Sequence, residues 1–247
     1  MKRMTLIRRK INPKYDPYLA FAIAFGIAML SFGIISLLPG GSRLPIISDL
    51  KSEYYVFLMA ARKTILSGES LQYSWNIGMG LGTVGTFVYY SASPLHLLLL
   101  ILPESWVIFG ITLTIAIKFG LSAAAFQIYA RRCLGQKGIE TVVFGLFYGL
   151  CTYAVTYYFN IMWLDALWLM PLIIMYMEKM IKKKKMTGFV LSLFILFLSN
   201  YYISFLTGVF IFIYFCGFLI LTSGKLRKMC IRDSYCAILP QRHYTPL

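Results

Sequence analysis

Charge is scarce in this sequence, and acid scarcer still: 13% of the 247 residues are charged, with 24 Lys and Arg against 9 Asp and Glu. Soluble domains carry roughly 25% charged and about 45–50% apolar residues, whereas this chain is 59% hydrophobic with a mean hydropathy of +0.72, which excludes a water-soluble fold. No C-x-x-C pair occurs among Cys133, Cys151, Cys216, Cys230 and Cys236, so neither a zinc ribbon nor a disulfide framework is indicated, and they read as packing residues. His96 has no metal-spaced partner and is not assigned to a metal. The formal net charge of +15 would suit nucleic acid or an anionic surface if read alone. It is gathered in clusters between hydrophobic runs, so no nucleic-acid partner is expected and the lipid bilayer is the partner throughout.

What the sequence does contain is apolar runs, and at roughly 20 residues per crossing about six spans fit. Tyr18 to Leu38 is uninterrupted, longer than the core of a cleaved signal, and no small-x-small site follows it, so it reads as a signal anchor. Trp106 to Ala130, Thr141 to Phe159 and Leu164 to Met180 come next. Phe189 to Leu221 is too long for one span, and Ser199-Asn200-Tyr201-Tyr202 divides it into a short helix and a longer one ending near Leu221. If the short helix does not cross fully, its broken end must be buried in protein or line a wet cavity.

The basic clusters alternate with the spans: Lys2, Arg3, Arg8, Arg9, Lys10 and Lys14; Arg131, Arg132 and Lys137; Lys179 and Lys182 to Lys185; Lys225, Arg227 and Lys228. All fall on one side, which the positive-inside rule makes the cytoplasm. Arg43, Lys51, Arg62 and Lys63 fall on the other, beside Asp49, Glu53, Glu69 and Glu104. The expected fold is an all-α polytopic membrane protein with a cytoplasmic N-terminus: a basic arm at 1–17, a membrane domain at 18–228 and a long structured outer loop at 39–105. Lys182 to Lys185 is then first a topology signal and only second a contact for anionic headgroups. Lys118, near the middle of its span, should face the bundle interior.

In the outer loop, Leu50, Tyr54, Phe57, Leu58, Ala61 and Ile65 recur at helical spacing, with Lys51, Ser52, Arg62 and Lys63 opposite, which predicts an amphipathic helix lying on the membrane surface. Asp49 stands at its start, where a carboxylate either caps orphan backbone N–H groups or accepts a proton from an incoming hydroxyl. The run from Tyr73 to Gly85 contains G-x-G-x-x-G at Gly80, Gly82 and Gly85, but no βαβ context supports a dinucleotide site. Such glycines instead allow close packing or a ligand-facing loop. Pro94 suits the first turn of a second short helix. Trp75, Tyr89 and Tyr90 fit an interfacial belt as well as a binding surface. Asp165, in the tight turn from Asn160, shares the outer side with Asp49 and reads as an N-cap or as a partner in proton transfer or cation binding.

Ser48-Asp49-Leu50-Lys51-Ser52-Glu53-Tyr54, Tyr73-Ser74-Trp75 with the glycine run, Tyr89-Tyr90 with Ser93-Pro94, Trp163-Leu164-Asp165 with Pro171-Leu172, and Asn200-Tyr201-Tyr202 together resemble the N-terminal part of the YfhO family of bacterial membrane proteins. The resemblance covers residues 15 to 222. It implies a GT-C type glycosyltransferase that takes a sugar from a polyprenyl-phosphate donor at the outer face of the bacterial cytoplasmic membrane and passes it to a cell-envelope acceptor such as a teichoic acid. Such enzymes place an acid just after span one, and Asp49 matches that position as the base. Arg62 and Lys63 are then the candidates to stabilise the leaving phosphate. Glu53, Trp75, Tyr89, Tyr90, Asp165 and Asn200 are the other candidates for substrate contact. There is no D-x-D motif, so metal dependence stays open and no cofactor is assigned. A transporter or flippase of lipid-linked saccharides and a non-catalytic membrane subunit are the alternatives. Family members are several times longer, which implies a fragment lacking later helices. Residues 229–247 break with the preceding composition, and Met229 to Ser234 resembles translated adapter sequence, so this tail is read as not native.

Overall fold

The computed structural model describes residues 13–37, 46–75, 77–136 and 138–236, with backbone alone at 13, 34–37 and 221–236. Residues 1–12 of the basic arm, Arg43, Asn76, Lys137, the side chains of Lys225, Arg227 and Lys228, and residues 237–247 of the tail lie outside the described set.

In hydrocarbon every backbone N–H and C=O must find its partner inside the protein, and helices do this within one segment. The elements are α1 (Asp16–Leu37), α2 (Tyr55–Ser67), α3 (Val84–Tyr90), α4 (Leu98–Ile101), α5 (Val107–Arg132), α6 (Ile139–Gly149), α7 (Thr152–Thr156), α8 (Leu164–Lys183), α9 (Thr187–Ser199) and α10 (Tyr201–Cys236). A short hairpin joins β1 (Tyr73–Ser74) to β2 (Leu81–Gly82), with Tyr73 opposite Gly82. The chain divides into two units, residues 1–205 and 206–247. The second continues α10, which stays helical past the expected end near Leu221 to Cys236.

Among the described residues four stretches are long and apolar enough to cross a bilayer: Asp16–Gly33, Glu104–Arg132, Ile139–Thr156 and Tyr201–Ile220. The other two of the six expected spans are present as helices of a different kind. α8 has 20 residues, about 30 Å of rise, but carries acids. Both acids are paired, Asp165 inside the protein with Lys118 at 2.8 Å and Glu178 with the exposed Lys182 at 2.8 Å. α9 has 13 residues, roughly 20 Å, and falls short of a hydrocarbon core of about 30 Å.

α9 ends at Asn200, as the polar interruption predicts, and the break is satisfied by protein. Asn200 takes an extended backbone, its side-chain carbonyl accepts from Ile203 N at 2.9 Å, and its amide donates to Tyr89 O at 2.9 Å. The Ser204 hydroxyl serves the carbonyl of Leu196 at 2.6 Å and lies against that of Asn200.

α5 is the central helix, packed along α1, α6 and α8. Its hydroxyls are satisfied within the helix, Thr114 on Gly110 O at 2.8 Å and Ser122 on Lys118 O at 2.7 Å. Small residues set the helix spacing. Ala20, Ala24 and Ala28 bury one stripe of α1, and on α6 Gly145 and Gly149 lie against the backbone of Ala123, where a Cβ at Gly149 would meet its nitrogen at 2.8 Å. Gly149→Val should therefore lower stability by about 1–3 kcal/mol through overpacking against a backbone that cannot retreat. Gly85→Ala in α3, where nothing lies within 4 Å, should not. Thermal unfolding of both variants in detergent checks the contrast.

Candidate functional site

The long loop between α1 and α5 and the turn between α7 and α8 meet at one end of the bundle. The helix preceding α2 starts at Ser48, and Leu50–Tyr54 winds as a wider π turn that runs without interruption into α2. Leu50, Tyr54 and Leu58 bury their stripe against Ile111, Ile115 and Ile161. Asp49 does not cap this helix: its backbone is itself helical and its carboxylate makes no cap bond. The side chain is exposed, with Oδ2 3.5 Å from the Tyr54 hydroxyl. That hydroxyl donates at 2.7 Å to Oδ1 of Asn160, a residue only 4% exposed. Burial, then the charges of Asp49 and Glu53, push the Tyr54 phenol above its ordinary range, so it stays a donor.

One helical step on, Glu53 accepts from the Tyr90 hydroxyl at 2.5 Å. The Tyr90 ring stacks on Phe57 at 4.5 Å and tilts against Tyr54 at 5.5 Å. Tyr89 meets Tyr90 edge-on at 4.5 Å and Tyr201 at 5.3 Å, and Trp163 tilts against Tyr202 at 6.4 Å. Asp49, Glu53, Tyr89, Tyr90 and Asn200, all candidates from the sequence, thus converge with Tyr54, Asn160, Trp163, Tyr201 and Tyr202. Tyr54, Trp163, Tyr201 and Tyr202 stand in the motifs that carry the family resemblance, and Asn160 opens the turn before Asp165, but the sequence assigns none of the five a substrate contact; only a fold brings residues so far apart in sequence together. The result is a shelf of ring faces and edges beside two carboxylates, held from behind by the buried amides of Asn160 and Asn200; rings beside carboxylates can hold a polyhydroxylated ring by its C–H face and its hydroxyls.

Four candidates do not join this cluster in the way expected. Asp165 sits at the same end but inside the wall, 1% exposed, as neither an N-cap nor an open acid. Its Oδ2 takes Lys118 Nζ at 2.8 Å and its Oδ1 takes the Trp168 indole N–H at 3.0 Å. Arg62 is half-buried, donating to Leu99 O at 2.9 Å and Leu102 O at 2.7 Å, so it ties α2 to the end of α4. Along continuous helix Arg62 and Lys63 stand roughly 20 Å from Asp49, too far to act with it on one phosphoester. Trp75 is 77% exposed on the hairpin, its ring set edge-on to Tyr73 at 5.1 Å. Of the glycines there Gly80 serves close packing: with φ +110° it leaves room only for the Tyr73 hydroxyl and the Trp75 ring, whereas Gly85 has open space beside it.

The sequence profile of the family described as bacterial membrane protein YfhO matches residues 20–239. The chain belongs to the YfhO family. The match runs from the first apolar helix through α10 and into the segment of atypical composition. No curated protein and no solved structure matches the chain. In this YfhO family member, Tyr54→Phe should leave the buried Asn160 carbonyl without a donor and lower stability by about 1–3 kcal/mol. Amide hydrogen exchange should rise in the turn at residues 157–163 first, and thermal unfolding measures the loss.

Proposed function

We propose that this YfhO family protein transfers a sugar from a polyprenyl-phosphate-linked donor to a cell-envelope acceptor, a teichoic-acid-like glycan, at the outer face of the bacterial cytoplasmic membrane. The supporting observation is the exposed Asp49 carboxylate beside the Tyr54–Asn160 and Glu53–Tyr90 pairs, on a shelf of aromatic rings. The N-terminus is cytoplasmic, in keeping with Lys14, Arg131, Arg132 and Lys182 to Lys185 flanking one side of the spans and the acidic loop the other.

In the step, an acceptor hydroxyl gives its proton to Asp49 as its oxygen attacks the anomeric carbon. The bond from that carbon to the phosphate oxygen breaks, and its electron pair leaves with the polyprenyl phosphate. Glu53 orients substrate hydroxyls and the Tyr90 ring, Asn200 holds the backbone of Tyr89 from behind, and Tyr89 and Tyr90 pack on the sugar face. Arg62 and Lys63 take no part at the reacting carbon, because helix length separates them from Asp49. Asp165 acts by seating the turn at residues 160–163. Trp75 is left to the entering acceptor or to the membrane interface.

A flippase of lipid-linked saccharides draws on one further feature, the 95° bend between Val84–Tyr90 and Pro94–Ile101, since bent and broken helices mark transport sites. In membranes carrying the protein, sugar transfer from polyprenyl-phosphate donors should fall by about 10²–10⁴-fold in Asp49→Asn with the protein still folded. Transfer that survives the substitution removes Asp49 from the chemistry. Donor that crosses the membrane unconsumed supports the flippase.

A further inference from the structure

The helical hairpin that carries the turn at residues 157–163 is interrupted in both of its arms, and the two interruptions face each other. In the first arm α6 ends at Gly149, Cys151 takes an extended backbone with ψ 162°, and α7 starts afresh at Thr152. In the second arm Pro171 stands inside α8. It has no N–H to give to the carbonyl four residues back, that of Leu167, so a rung of the helical ladder is missing. Inside a membrane such a carbonyl needs a donor from elsewhere in the protein. Tyr148, in the last turn of α6, supplies it: its hydroxyl donates to Leu167 O at 2.8 Å.

Tyr148 is mounted with little freedom. Gly145 and Gly149, on either side of it in α6, lie against the backbone of Ala123 in α5. Its ring stacks on Phe126 of the same helix at 4.6 Å, with the planes 17° apart. What it holds is the outer end of α8, which continues the turn whose Asn160 meets Tyr54 at 2.7 Å and whose Trp163 tilts against Tyr202. Lys118 grips the same end from α5, through Ile161 O and Asp165. An ammonium group on a flexible stem sets where that end is anchored but leaves its tilt free. A rigid donor on a second helix removes that freedom.

We infer that Tyr148 is a positioning residue for the aromatic shelf: it replaces the rung that Pro171 removes and so fixes the tilt of residues 157–170, which sets Asn160 and Trp163 against Tyr54 and Tyr202. As a statement about sugar seating this rests on the reading of the shelf as the substrate site; as a statement about the turn it does not. The tyrosine and the proline have a joint signature, because the Tyr148 hydroxyl and a backbone N–H at residue 171 are alternative donors to one carbonyl. Pro171→Ala supplies that N–H, and Tyr148→Phe then removes a donor that is no longer needed.

The test is the cycle of Tyr148→Phe, Pro171→Ala and the two together, in the full chain in nanodiscs, read by amide hydrogen exchange. Tyr148→Phe keeps the ring on Phe126 and should speed exchange at residues 157–163 by about five- to tenfold, the factor of one lost hydrogen bond. In the Pro171→Ala background the same substitution should change exchange there by less than about twofold. A tyrosine that only packs costs the same in both backgrounds, and that result overturns the inference, as does unchanged exchange at the turn in Tyr148→Phe. In membranes, sugar transfer from polyprenyl-phosphate donors should show KM for the donor raised about fivefold in Tyr148→Phe with kcat within about twofold, and Pro171→Ala should restore it. A fall in kcat at unchanged KM overturns the assignment to substrate seating. If the unsubstituted protein transfers no sugar, the reaction read from the shelf fails, and the exchange cycle alone decides the role of Tyr148.

Discussion

A lysine in the middle of an apolar helix must find a partner, and the arrangement of this bundle follows from how Lys118 does so. Placing a charge at that depth costs about 2.5–3.5 kcal/mol on insertion scales, and leaving it unpaired in the interior costs more. Lys118 Nζ binds Asp165 Oδ2 at 2.8 Å and the carbonyl of Ile161 at 2.8 Å, with both side chains shut off from solvent. The Trp168 indole fills the other carboxylate oxygen at 3.0 Å. One ion pair therefore fixes three things at once: the rotation of α5, the first turn of α8, and the path of the turn that joins α7 to α8.

The candidate site inherits its shape from that turn. With Ile161 O held by Lys118, Asn160 faces the Tyr54 hydroxyl at 2.7 Å and Trp163 faces Tyr202. Tyr54 in turn belongs to the π turn that carries Asp49 and Glu53. From the other direction, Asn200 breaks α9 from α10 and uses its amide to hold Tyr89. Two polar residues that would be liabilities in lipid, Lys118 and Asn200, are thus satisfied by protein, and in being satisfied they locate the aromatic shelf. Stability and site geometry rest on the same bonds.

Much of this was legible in the sequence wherever a local pattern carries it. Apolar length located α1, α5, the α6–α7 segment and α10; Asn200 marked the break between α9 and α10; Pro94 sits at the start of its short helix as its fixed φ requires. The need for Lys118 to face inward followed from charge alone, but its partner did not, because a pair separated by 47 residues leaves no periodic trace. The same holds for Arg62, which stands opposite the apolar stripe and reads as a candidate for the leaving phosphate, while its guanidinium in fact closes the carbonyls of Leu99 and Leu102. Asp49 had the composition of an N-cap, yet the helix begins a residue early and winds wide, so the carboxylate is released to face outward. Hydropathy alone passes over α8 for a related reason: the helix is long enough, but its acids count against it and the lysines that pair with them do not count in its favour.

The claim that the buried pair seats the site is tested most directly by a double-mutant cycle on Lys118→Met and Asp165→Leu, reading thermal stability together with amide exchange in residues 157–163. The single substitutions should each cost about 3–5 kcal/mol, because each strands a buried charge, and the double variant should recover most of that loss while exchange in the turn stays raised for want of the Lys118 bond to Ile161. Single substitutions that leave stability and the turn unchanged, or a double variant as unstable as the sum of the two, would contradict the account.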